Sequence, residues 1–157
     1  MSASGKVVYT SRGRIERQVG PVRLAYLPAE KEPVTFGVHS EIAAHYKVPP
    51  DKFPPRATTI DYVVAAGGGV TATFGGALEA CQIGASGGNL TSEITGEIEL
   101  EGNVLVIQRI HAHSRLRAGE DKRDTVEKVH SLHADHCPIA LSLKKAIDIS
   151  TSFELVS

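Results

Sequence analysis

The sequence predicts an α+β fold built on antiparallel sheet. Three observations carry this. Short alternating runs broken by Gly and Pro turns fill the first third of the chain. Two long period-two runs then flank one tight turn at Glu101-Gly102-Asn103. The segments with helical spacing lie between and after these strand groups, so strands and helices are segregated rather than alternated.

Taken in order, "KVVYT" and "RIERQV" read as strands around an "SRG" turn, followed by "GPVRLAYL" and "PVTFGVH", a meander. "SEIAAHYKV" carries apolar positions at Ile42, Ala43 and Tyr46 behind a Ser40-Glu41 start signal, which predicts a short helix. Four prolines between Pro49 and Pro55 force an irregular loop. Thr58 or Thr59 then caps one long helix over "DYVVAAGGGVTATFGGALEA", with Asp61 in its favourable first turn. "LTSEITGEIELE" and "VLVIQRIHAHSRLR" form the hairpin. "DKRDTVEKVHSLHADH" is helical, with Val126, Val129, Leu132 and His133 assigned to one face. Pro138 opens a further helix, and "DISTSFELV" ends the chain as a strand. The 157 residues fit one domain, 1–157, large enough to bury a core without staples.

Composition excludes several function classes. Net charge is −1 with both signs interspersed, so no footprint for nucleic acid or an anionic membrane is present. No apolar run is long enough to span a bilayer, and "MSASGKVVYT" has no leader-like apolar region. A cytoplasmic protein is expected. Cys81 and Cys137 are far apart in sequence, which argues against a structural disulfide. No cofactor is implied. A metal site is not expected either: His130, His133 and His136 recur at i, i+3 and i+6, and i+6 is rotated by about 240° from i on a helix. His111 and His113 do share one face of a strand. No G-x-S-x-G elbow supports a hydrolase.

Gly67, Gly68 and Gly69 in a row would cost roughly 3 kcal/mol inside a helix. No Gly-Lys-Ser/Thr follows, and no βαβ context surrounds them, so a phosphate loop is disfavoured. Close approach of another element is the better reason for them.

Two segments then resemble the OsmC/Ohr family, the organic hydroperoxide reductases and their osmotically induced relatives. "TTIDYVVAAGGGVTATFGGALEA" is similar to the family's central helix, in which an acidic residue, an Ala-Ala pair and small residues precede the peroxidatic cysteine. "HADHCPIALSLKKAIDISTSFELV" is similar to its second-cysteine segment, and the order of elements matches as well. The resemblance implies an intertwined homodimer with central helices sandwiched against sheets and active sites at the subunit interface. It also implies a hydroperoxide, or another hydrophobic small molecule, as ligand.

The peroxidatic position of that pattern falls on Val70, or on Thr73 in an alternative register, and neither is a cysteine. The thiolate is the attacking group, which a valine or an unactivated threonine cannot replace. The standard two-cysteine peroxidase mechanism is therefore expected to be absent. Cys137 matches the resolving cysteine, and its place at a helix start favours a thiolate. A hydroperoxide reductase working through Cys137 is the alternative. The family's thiolate-holding arginine and glutamate fall on Arg14, with Arg12 and Arg56 as further candidates, and on Asp61, one methylene shorter than glutamate. His133 and His136 stand close enough to Cys137 in sequence to be pocket candidates. Cys81, eleven residues beyond Val70, is read as core or helix-end packing.

Overall fold

Which of these runs become strands depends on which find a partner ladder. The computed structural model describes residues 5–157; the first four, part of the "MSASGKVVYT" stretch, lie outside the described residues. The chain forms two compact units that divide after Thr59.

In the first unit, β1 (Arg14–Arg17), β2 (Arg23–Tyr26) and β3 (Val34–Phe36) form an antiparallel meander. The register pairs Arg14 with Tyr26 and Arg23 with Phe36. The expected first strand, "KVVYT", is not one: it joins no ladder among the described residues, and Val7, Val8 and Tyr9 are exposed. A β-prone run without a partner has nowhere to put its backbone hydrogen bonds except water. The first hairpin turn accordingly lies not at "SRG" but around Gly20, closed by Gln18 N–H donating to Val22 O at 2.9 Å. The short helix is present as α1 (Ser40–His45). It ends in a Schellman-type turn, with Lys47 at φ 55° and Val48 N–H bonded to Ala43 O at 2.9 Å.

In the second unit, the one long helix becomes two segments, α2 (Thr59–Gly67) and α3 (Val70–Ala80). The break falls in the glycine run, where Gly68 and Gly69 N–H bond to Ala65 O at 3.0 Å and Ala66 O at 2.8 Å. These are i→i−3 bonds, a tightening that glycine tolerates and that shifts the axis between segments. Close approach does explain the glycines, but what approaches is the sheet. A methyl on Gly67 would lie 2.8 Å from Ile110 Cδ1, and one on Gly68 2.7 Å from Ile94 Cγ1.

That sheet comprises β4 (Leu90–Glu101), β5 (Val104–Arg117) and β6 (Asp148–Val156) in the order β4-β5-β6. The hairpin is antiparallel, with Leu90 opposite Leu116, and turns tightly at Gly102 (φ 63°). The antiparallel expectation stops at β6, which runs parallel to β5 from Arg109↔Asp148 to Arg117↔Val156. The helices α4 (Arg123–His133) and α5 (Pro138–Leu143) carry the chain back to Arg109, where β6 takes up its pairing with β5, the crossover a parallel pair requires.

Period-two alternation puts Ile110, Ala112, Ser114 and Leu116 under the helices, and His111, His113 and Arg115 on the opposite face. On α4 the buried set is Val126, Val129 and His133. Leu132 is exposed, contrary to the sequence assignment, because it stands six residues from Val126 and so points about 120° away. One core cluster joins Phe74, Leu78, Ile83, Leu116, Val126 and Val129. A second joins Val70, Ala112, Cys137 and Ala140.

A candidate site around Val70 and Cys137

The second cluster holds both Val70 and Cys137, two of the candidate site residues. Val70 opens α3, and the i, i+4, i+8 spacing of Val70, Phe74 and Leu78 fixes the buried stripe of that helix. Cys137 is the N-cap of α5, held in extended backbone ahead of Pro138. Both side chains are buried, 2% and 1% exposed, and pack with Ala112 of β5 and Ala140 of α5. Ile94, Ile139 and Ile149 close the cluster. Cys137 Sγ accepts a hydrogen bond from Ala140 N–H at 3.5 Å. Thr73, the alternative register, is half-buried and outside this cluster.

The surroundings are apolar, with one hydroxyl chain alongside. Thr71 Oγ1 donates to Ser92 Oγ at 2.8 Å, and Ser92 and Ser114 share a hydrogen bond of 2.7 Å. Ser114 is buried beside Ala112 on the inner face of β5. The sequence reading passed over this chain. The signal was present in the alternation, which sets Ser92 and Ser114 among the core-facing positions.

The other candidates are distributed as follows. Asp61 lies in the first turn of α2 and is half-buried. Arg14 belongs to β1 of the first unit, ion-paired with Glu16 and stacked 4.2 Å above the Tyr26 ring. Arg12 and Arg56 are exposed residues of the same unit, and Arg56 N–H bonds to Val38 O at 3.3 Å. His133 is buried under Phe74, ring centres 4.7 Å apart, and its Nδ1 is 2.7 Å from His130 O. Burial holds both His133 and His130 below the ordinary imidazole pKa, with the charge on His133 adding to the effect at His130. His136 is exposed. Cys81 caps the C-terminus of α3 and is exposed, so it is a helix-end residue and not a core one. Among the described residues no three His, Cys, Asp or Glu side chains are grouped so as to hold a metal ion. No helix there is long and apolar enough to cross a membrane.

Chemically, the cluster holds one free thiol in a hydrocarbon surround that includes the Val70 isopropyl group. A thiol pair reduces a peroxide by ending as a disulfide; a single thiol stops at sulfenic acid until an external thiol reduces it.

A family model described as "OsmC-like protein" matches residues 57–152, which include both Val70 and Cys137. Comparison with curated protein sequences finds no match. Among solved structures, an OsmC-like protein of Vibrio cholerae superposes with a TM-score of 0.70 at 11% identity, covering 94% of this chain and all (100%) of that one. An organic hydroperoxide resistance protein from Elizabethkingia anophelis gives 0.62 at 15% identity, covering 96% and 100%. The organic hydroperoxide resistance protein OhrB of Bacillus subtilis gives 0.58 at 17%, covering 94% and 100%. At these identities the likeness is one of fold.

Proposed function

The chain belongs to the OsmC-like family, and on that premise we propose that it is a cytoplasmic, homodimeric, single-domain relative of the organic hydroperoxide reductases that has lost their two-cysteine chemistry. It keeps an apolar site at Val70 and Cys137 and binds a hydrophobic small molecule there. The observation that supports the reading is the burial of Val70 and Cys137 in one core cluster: on the register that sets Val70 at the family's peroxidatic position, a hydrocarbon side chain shares the core with the candidate resolving thiol. Arg14, or else Arg12 or Arg56, and Asp61 are the polar groups expected to border the site. A second copy is supported by the small-residue groove along Ala65, Gly69, Ala72 and Gly76, which admits a close helix, and by the exposed Val7-Val8-Tyr9 run.

The test is consumption of cumene hydroperoxide with excess dithiothreitol by wild type, Cys137→Ser and Val70→Cys. The expected result is no turnover above the uncatalysed rate in the first two. Val70→Cys should gain turnover together with a peroxide-dependent disulfide between positions 70 and 137. Its failure to form that disulfide would remove the proposed geometry. A second reading, reduction through Cys137 alone, is favoured by the Ala140 N–H aimed at Sγ. Wild-type turnover that disappears in Cys137→Ser would establish it in place of the first.

A further inference from the structure

The proline-rich loop and α1 build a cavity of their own in the first unit. It measures about 230 Å³ and is lined mostly by carbon, with Ala43 of α1 on one side and Pro49, Phe53 and Pro55 on the other. Two polar side chains, His39 and Ser40, complete the lining, and His39 Nδ1 lies 3.1 Å from Ser40 Oγ.

Proline's locked φ limits how far its wall can move, and its missing N–H leaves no donor there to satisfy. The backbone bonds from Val48 to Ala43 (2.9 Å) and from Arg56 to Val38 (3.3 Å) tie the loop to α1 and to the end of β3. Phe53 is seated against Gly20, where any methyl would strike its ring. Ser40 has φ 47°, a left-handed conformation that a non-glycine residue adopts at a cost of about 1–3 kcal/mol and that clusters at binding sites. It keeps that conformation next to the one polar spot of an otherwise apolar hollow.

We infer that this cavity is a binding site for uncharged one-ring molecules carrying a single hydroxyl, the chemistry of a simple phenol. The volume sets the scale: an enclosed apolar cavity of about 150 Å³ takes benzene, so a hollow of this size has room for a ring and one substituent. The lining decides the polarity, since a concave apolar site with a few placed polar groups selects an apolar body with one hydrogen-bonding end. The ligand hydroxyl bonds Ser40 Oγ, with the His39 ring beside it. The site uses neither Val70 nor Cys137, so it stands or falls separately from the hydroperoxide question.

The full chain is titrated with 4-fluorophenol and with fluorobenzene, read by ¹⁹F NMR line broadening. Saturable 4-fluorophenol binding is expected, tighter than fluorobenzene by about five- to tenfold, the worth of one neutral hydrogen bond. Ser40→Gly, which accepts the left-handed φ without strain and so keeps the fold, should shrink that preference to about twofold or less. Ala43→Leu, which puts three more carbons into the hollow, should weaken binding of both probes. Absence of saturable binding to wild type overturns the inference. So does a hydroxyl preference that survives Ser40→Gly, or undiminished binding of both probes by Ala43→Leu in a folded protein.

Discussion

Replacing Gly67 by alanine adds one methyl to the last residue of α2. Its centre would lie 2.8 Å from Ile110 Cδ1, 3.0 Å from Cγ2 and 3.7 Å from Cβ. Ile110 is fully buried in the middle of β5, so it has no solvent to swing into, and Cγ2 cannot be cleared by turning the side chain's tip alone. Overpacking of this kind costs about 1–3 kcal/mol. Alanine returns at most about 0.8–1 kcal/mol in helix propensity, and less at a helix end. The net loss is about 1 kcal/mol, which in a chain of this size lowers Tm by about 2–4 °C. Gly76→Ala is the control. It lies inside α3, and its new methyl meets nothing within 4 Å, so in the isolated chain it should raise Tm by a similar amount. Both are measured by thermal unfolding at low protein concentration. A Gly67→Ala protein as stable as wild type would refute the view that the glycine run is set by the sheet. Repeating Gly76→Ala at high concentration tests the proposed helix groove, because there the added methyl should weaken association and reverse the gain.

Iodoacetamide at neutral pH should label Cys81 in the native protein and Cys137 only after unfolding, as mass spectrometry of the two peptides would show; equal native labelling would contradict the burial of Cys137. Phe74→Ala should cost about 3–5 kcal/mol in urea unfolding, whereas Leu132→Ala, at an exposed helix position, should stay within about 0.5 kcal/mol. His130 and His133 have folded-state pKa values held below the unfolded value of about 6.5, so the unfolded chain binds protons that the native chain refuses. Stability is then full above pH 6.5 and falls as pH drops below it toward the folded pKa values. Unfolding free energies at pH 7.5 and 5.5 should show this loss, and His130→Leu should reduce it; an undiminished loss in that variant would place the titration elsewhere.

How much of this was legible depended on whether the signal was local. The β4–β5 hairpin, the start of α5 at Pro138 and the meander were carried by alternation, turn residues and proline, each of which acts within a few residues. The OsmC-like family was likewise readable, because the spacing of residues along the Asp61–Ala80 and Cys137 segments survives without coordinates. Where a partner from elsewhere decides, the reading failed. "KVVYT" had strand chemistry and no ladder to join. Leu132 was apolar but on the wrong side of its helix.

The sequence by itself determined the α+β class and the proline and glycine punctuation, since these are properties of residue identity and short-range backbone preference. Tertiary structure alone decided three further things. It set β6 parallel to β5, broke the long helix at Gly68–Gly69 over the isoleucines of the sheet, and gathered Val70 and Cys137 into one core cluster. Each of these depends on two surfaces, distant in sequence, competing for the same few ångströms, and no single segment carries that information.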